Sequence, residues 1–302
     1  VPQDFAGLRV DQALAKLLPA HSRSRLKGWI EQGLVTLDGA AAAARHRLDG
    51  GETLLVTEPP SAEVISDAAE PIALSIAFED EAILVLDKPA GLVVHPGAGN
   101  RTGTLLNALL HHAPALSALP RAGIVHRLDK DTSGLMVVAK TAQAQTGLVR
   151  QLQSRTVSRH YLALVQGDLA RGVVIDAPVG RHPVHRTRMA VVASGKPART
   201  HVDVLERHRA ATLVRCRLAT GRTHQIRVHL ASLDHPLVGD PLYGGRKTSL
   251  PPALRAFSRQ ALHAERLALV HPVTGRECEW TSPLPADFSR LLATIGAEGA
   301  KR

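Results

Sequence analysis

The stretch that most constrains the fold of this chain is RAGIVHRLDKDTSGLMVVAKT, Arg121 to Thr141. Leu135 to Ala139 form an unbroken apolar run rich in β-branched residues, the pattern of a buried strand. Before it, Ile124-Val125 lead into a polar core of His126, Arg127, Leu128, Asp129, Lys130, Asp131, Thr132 and Ser133, and Gly134 supplies a turn or bend. A polar loop held between strands is a common place for chemistry. Asp129 is the leading candidate, because Arg127 and Lys130 would favour its ionised form if they also lie close in space. From spacing alone the loop reads equally well as a surface turn whose charges pair weakly.

At 302 residues the chain can bury a real core and has room for two domains. Its two cysteines, Cys216 and Cys278, form no CxxC pattern, so neither a disulfide framework nor a zinc site is indicated. No apolar run approaches the roughly 20 residues of a membrane helix, and no signal-peptide pattern is present. A cytoplasmic protein without a membrane partner is expected. The sequence opens at Val1 rather than Met, which leaves room for a preceding segment.

Charge is unevenly spread. Residues 1–57 carry 7 basic and 6 acidic side chains, residues 58–87 carry 8 acidic and none basic, and residues 88–302 carry 30 basic and 13 acidic. A strongly basic segment built mostly from Arg, which makes forked contacts to phosphate, points to a polyanionic partner over a merely soluble surface.

The amino-terminal part reads as a small αβ module. Leu8, Leu14, Leu17 and Leu18 stand at near-helical spacing, a second helix is predicted from Ser24 through Gln32, and a short strand with a turn follows from Gly33 to Gly39. Arg23, Arg25 and Lys27 at the second helix's start could meet phosphates together with free backbone N–H groups. Residues 57–72 hold three prolines and little pattern, and read as a linker.

From about residue 73, strands are predicted at Ala82–Leu86, Leu92–His95, Val173–Val179, Ala190–Val192, Thr200–Leu205 and Ala211–Leu218. Helices are predicted at Thr104–His112, Ala142–Gln153 and His224–Leu233. Strands joined by short turns with helices at irregular intervals argue an α+β fold with a largely antiparallel or mixed sheet. Tyr161 opens a further strand and is, read alone, a half-buried core aromatic. Thr223 is a good N-cap for the last helix, which puts Ile226, Leu230 and Leu233 on one face. Arg227, three residues beyond His224, reads alone as a solvated helix charge. No GxxxxGK[ST] or HExxH motif occurs.

Four of these segments together carry a resemblance. HRLDKDTSGLMVVAK, DKPAGLVVHPGAGNRTGTLLNALLHH, Arg159-His160-Tyr161 and GRTHQIRVHL resemble the motifs of the RluA-type RNA pseudouridine synthases. The stretch around Asp129 resembles most the branch that modifies large-subunit ribosomal RNA. SRSRLKGWIEQGLVTLDG with the following GGETLLV resembles the S4 RNA-binding domain.

The resemblance implies a large mixed, mainly antiparallel sheet with a central cleft, plus the small S4-like αβ domain. The expected division is an S4-like domain at 1–57, an acidic linker at 58–72, a catalytic domain at 73–290 and a tail at 291–302. It implies Asp129 as catalytic residue, Tyr161 against the target base, Arg227 paired with Asp129, and Arg127 with His126 as RNA contacts during base flipping. Arg159 stands where many relatives carry Lys. No cofactor and no metal are implied. The implied partner is 23S ribosomal RNA or a large-subunit precursor, with the helix 69 stem-loop as target, and a monomer is expected. Other rRNA sites or tRNA stay open as targets. Two rivals are a non-catalytic ribosome-assembly factor and a glycosidase or nucleosidase, which would want two carboxylates in one site.

Overall fold

Lys88 shows how this chain builds its site. It ends a strand of four successive buried apolar residues, and its own side chain is fully buried. A computed structural model describes residues 1–18, 23–57, 68–97, 99–185, 187–245 and 250–300; side chains are described except at 23–25 and 298–300. The chain divides into two compact units, Val1–Val64 and Ile65–Arg302.

The first unit holds α1 (Val10–Leu17), α2 (Arg23–Glu31), β1 (Val35–Leu37), β2 (Ala40–Ala41) and β3 (Leu54–Val56), with the strands antiparallel in the order β2-β1-β3. Val10, Ala13 and Leu14 of α1 meet Leu26, Trp29 and Ile30 of α2 over Val35 and Leu48. Leu17 is exposed, so the buried stripe runs through Val10 and Leu14 rather than through Leu17.

In the second unit β4 (Ile76–Glu79), β5 (Ile83–Lys88), α3 (Leu105–His112), β6 (Ser133–Ala139), α4 (Ala142–Ser154), β7 (Ser158–Gln166), β8 (Val173–Asp176), β9 (Val179–Arg181), β10 (Met189–Val191), β11 (Arg199–His208) and β12 (Ala211–Leu218) come first. Then follow α5 (Gln225–Ala231), α6 (Pro252–Ala256), β13 (Leu262–Val270), β14 (Glu277–Thr281) and α7 (Ala286–Ala300). Nine strands form one mixed sheet in the order β4-β5-β6-β13-β7-β12-β11-β8, with β14 on β13; β9 and β10 pair separately. Among the described strand pairings, only β6–β13 is parallel. β13 therefore sits between β6 and β7, strands that precede it by about a hundred residues.

All seven residues of β6 are buried, as its apolar run requires. Gly134 is its second residue rather than a turn before it. A Cβ there would lie 2.3 Å from the Ala264 carbonyl oxygen, so glycine lets β13 close onto β6. One face of the sheet carries Leu84, Leu86, Met136, Val138, Tyr161 and Ala163 into a core completed by α3 and α5.

Several expectations need correction. Leu92–His95 is not a strand, because the Val93 and Val94 carbonyls accept the N–H groups of Leu105 and Leu106 at the start of α3. Val173–Val179 divides into β8 and β9 around Pro178, which has no N–H for a ladder. Residues 68–72 of the expected linker are tied to the second unit: Ala68 accepts from Asn107 and Glu70 from Gly103. Residues 58–67 lie outside the described residues. The expected tail begins inside α7, whose Phe288, Leu291 and Ile295 are buried on Leu164, Leu213 and Leu254. No helix among the described residues is long and apolar enough to cross a membrane.

Candidate active site

A cleft of ≈ 570 Å³ opens in the second unit, walled by the 124–132 loop, β7 and the 218–227 segment. Asp129 is its only acidic lining residue among those described. The Asp129 Oδ2 atom accepts from Arg227 Nη1 at 2.8 Å. The same guanidinium donates through Nε and Nη2 to both oxygens of Asp240, at 2.7 and 2.9 Å. Side-chain exposures of 18% for Asp129, 4% for Arg227 and 0% for Asp240 show the order: one carboxylate faces the cleft and the other lies behind. Flanking carboxylates raise the Arg227 guanidinium above its ordinary value against the opposing effect of burial. A buried, bidentate arginine of this kind aims its second carboxylate partner with little freedom.

The loop carrying Asp129 is fixed from two further sides. Lys88 Nζ donates to the carbonyls of Pro89, Leu92 and Lys130 at 2.8, 2.9 and 2.8 Å. Burial lowers Lys88 to about 7, opposed by the charges of Asp131 and Asp129. Three carbonyl acceptors and no donor around Nζ favour the ammonium. Arg259 donates to the Asp131 carbonyl at 3.1 Å and is held by Asp287, in the first turn of α7. The carboxyl-terminal helix thus reaches the loop through one side chain.

Tyr161 is the fourth residue of β7 rather than its first, and lines the cleft with 5% exposure. Burial raises its phenol above the ordinary value, so it stays protonated at neutral pH. Arg127 is exposed at the cleft wall. His126 is turned inward, its Nε2 accepting the Val137 N–H at 3.1 Å. Burial first, then the Arg159 charge, lowers it to about 3, so it offers no charge to an anion near pH 7. Lys27 is exposed on α2 and pairs with Glu31 at 3.4 Å. The side chains of Arg23 and Arg25 lie outside the described residues.

The α5 prediction holds with a different cap. His224, not Thr223, is the N-cap, at φ 55° in the left-handed region, and Leu233 lies beyond the helix and is exposed. Arg227 is buried rather than solvated. The unusual cap swings His224 towards Asp129, with Nε2 3.9 Å from Oδ1. Its Nδ1 is 2.9 Å from the Tyr243 hydroxyl, which itself accepts the Met189 N–H at 2.9 Å. The hydroxyl proton is thus available to Nδ1, which leaves the ring proton on Nε2, facing Asp129. Burial lowers His224, in keeping with a neutral ring.

Sequence reasoning missed His224, Asp240 and Tyr243 as parts of the site. The available signal was Gly239-Asp240-Pro241, but an Asp before Pro is ordinary turn chemistry. Asp240 does both: Oδ1 also accepts the N–H groups of Leu242 and Tyr243.

Comparison with known proteins matches residues 82–232 to the RNA pseudouridylate synthase model and residues 8–54 to the S4 domain model. Those 82–232 limits take in Asp129, Tyr161 and Arg227 and span half of the chain. This chain belongs to the RNA pseudouridylate synthase family. The synthase is therefore an isomerase that converts uridine to pseudouridine, with an S4 domain ahead of its catalytic unit. It is 61% identical to Ribosomal large subunit pseudouridine synthase D of Nitrosomonas europaea, over 98% of this chain and 86% of that one. It is 55% identical to the protein of that name from Pseudomonas aeruginosa, over 98% and 94%. Among solved structures it is similar to Human RNA Pseudouridylate Synthase Domain Containing 1, with TM-score 0.58 and 29% identity over 76% of this chain and 87% of that one. The expected fold, a mixed and mainly antiparallel sheet with an S4 domain, is the one observed.

Proposed function

We propose that this synthase isomerises specific uridines of large-subunit ribosomal RNA, with the helix 69 stem-loop of 23S rRNA as its target. The observation that carries the catalytic assignment is Asp129: the one acidic group on the cleft among the described residues, held at 2.8 Å by a buried arginine. The names of the relatives support the rRNA substrate. A uracil in structured RNA must leave its stack, and Arg127 at the cleft wall is placed to fill the gap. Asp129 then acts at the sugar, either as nucleophile on C1′ or as base for the 2′ proton. Tyr161 packs against the detached base while it turns to present C5, and Arg227 keeps Asp129 aimed.

Residues 1–57 bind RNA beside the target, a linker that ends before Ala68 joins the two parts, and the residues from Ala68 onward catalyse. The protein works as a cytoplasmic monomer on 23S rRNA or a large-subunit precursor. A single acidic lining residue among those described does not favour a glycosidase, which works with two carboxylates. The test is to incubate wild type and Asp129→Asn with 23S rRNA and map carbodiimide-dependent reverse-transcription stops. Stops in helix 69 with wild type alone support the reading. Equal stops with both remove Asp129 from the chemistry, and stops elsewhere replace the target.

A further inference from the structure

Arg159 is a charged side chain that the scheme above leaves unused. It is 7% exposed, lines the cleft, and its Nε is buried with no hydrogen-bond partner. No carboxylate on the cleft is available to it, because Asp129, the only one among the described residues, is bound to Arg227. A buried Nε–H without an acceptor is costly in the free protein. The cost makes sense if a ligand supplies the missing acceptor.

Position identifies the ligand. Arg159 and Tyr161 are both buried residues on the same face of β7, two residues and roughly 7 Å apart along the strand. Arg121, Arg127 and Arg155 are exposed at the cleft and are suited to phosphates, whereas Arg159 is buried like Tyr161, at 7% and 5% exposure. Gly221 makes room for it: a Cβ there would lie 2.9 Å from Arg159 Nη1. A base packed on Tyr161 would bring its edge to the guanidinium. Uracil's edge carries two carbonyl oxygens, O2 and O4, and a guanidinium is all donors.

We propose that Arg159 is a further catalytic residue, which binds a uracil carbonyl oxygen and stabilises the base while it is detached from the sugar. The inference rests on the isomerase reading and on Tyr161 packing the base. When C1′–N1 breaks, its electron pair leaves with the base, and the negative charge spreads over N1, O2 and O4. C1′ is meanwhile satisfied by an Asp129 oxygen, or by a C1′–C2′ double bond with the 2′ proton on Asp129. Either way the base is an anion, and a charge-assisted hydrogen bond to Arg159 is stronger then than with neutral uridine. The symmetry of uracil adds a second advantage. A half-turn about the axis through N3 and C6 exchanges N1 with C5 and also O2 with O4. A donor fixed in β7 therefore meets a carbonyl oxygen both before and after the turn. When C5 bonds to C1′ the charge returns to Asp129 by either route, as the displaced carboxylate in the first and because Asp129 gives its proton back to C2′ in the second. The C5 proton is then lost and N1 gains one.

The experiment compares wild type, Arg159→Met, Arg159→Lys and Gly221→Ala, all full-length, on a 23S rRNA transcript carrying tritium at uridine C5. Single-turnover tritium release at saturating enzyme gives the bound-state rate, and filter binding over a salt series gives affinity. The expected result for Arg159→Met is a rate lower by about 10²–10³-fold, as for loss of one oxyanion donor. RNA affinity stays within twofold, and the melting temperature is unchanged or raised because a buried donor without a partner is gone. Arg159→Lys keeps the charge and recovers part of the rate, while Gly221→Ala, which displaces the guanidinium, loses part of it. A rate within threefold of wild type for Arg159→Met overturns the proposal. So does weaker binding with a salt slope shallower by about 0.7–0.9 and an unchanged bound-state rate, the signature of a phosphate contact. A fall in melting temperature that Lys restores together with the rate also overturns it, in favour of a packing role. If wild type itself releases no tritium, the isomerase reading fails and the proposal falls with it.

Discussion

Asp240→Asn is the sharpest test of how the site is held. Asp240 Oδ1 accepts three N–H groups, from Arg227 Nη2, Leu242 and Tyr243, and Oδ2 accepts one, from Arg227 Nε at 2.7 Å. The asparagine carbonyl must take the Oδ1 place, which leaves its NH₂ facing the Nε–H, donor against donor. The buried guanidinium then keeps only Asp129 as a charged partner. Breaking a buried pair from one side costs about 3–5 kcal/mol. The backbone turn at 240–243 retains its acceptor, so a loss of about 3 kcal/mol is expected in urea unfolding. Arg227 moves away from the new amide and takes Asp129 with it; a displacement near 1 Å costs about 10²-fold in bound-state rate. RNA affinity stays within twofold, because Asp240 is not on the cleft wall. The assay pairs urea unfolding with single-turnover pseudouridine formation. Stability within about 1 kcal/mol of wild type and a rate within threefold would refute the bridging role of Arg227.

Lys88→Met leaves three buried carbonyls without their donor and should lower stability by about 2–4 kcal/mol in the same urea experiment; a change below about 1 kcal/mol would mean that water or backbone movement replaces the ammonium. His126 contributes a pH dependence. Its folded value of about 3 lies below the ordinary 6.5, so between these limits the unfolded chain binds a proton that the folded chain refuses. Stability should fall as pH drops through that window, by at most about 5 kcal/mol, and His126→Gln, which still offers Val137 an acceptor, should flatten the fall. Deleting residues 1–57 should weaken RNA binding more than it slows the bound-state reaction; equal affinity with and without them would remove the RNA-binding role of that unit.

What could be read from the sequence was set by periodicity and motif continuity. The β6 run had no polar interruption, and the α4 pattern closed with Thr141 accepting the Ala144 N–H as an N-cap, so both stood out. Asp129 and Arg227 were legible because each lies in a long motif, and Tyr161 because it completes the short Arg159-His160-Tyr161 pattern; the structure brings all three to one cleft. Lys88 was hidden within a turn motif, since nothing local shows that its amine will meet the carbonyl of residue 130. Asp240 was hidden because its pairing with Arg227 crosses 13 positions and its own surroundings look like a turn. The last segment misled for a similar reason: α7 buries one stripe against α6, β7 and β12, an arrangement that exists only after the sheet has closed.

The place of β13 fixes when this enzyme can exist. Its two neighbours, β6 and β7, leave the ribosome during synthesis long before residues 262–270 do, yet in the finished sheet they do not touch. The nascent chain must hold a gap between them, or resolve a premature β6–β7 pairing, until the late strand arrives. Loop closure over such a separation is slow, and the exposed strand edges invite mispairing in the interval. Asp129 and Tyr161 border those two edges, so their spacing is set by the last strand to arrive between them. A truncation that removes β13 would leave every motif residue covalently present and no site, and activity during synthesis should begin only once the strand has cleared the exit tunnel.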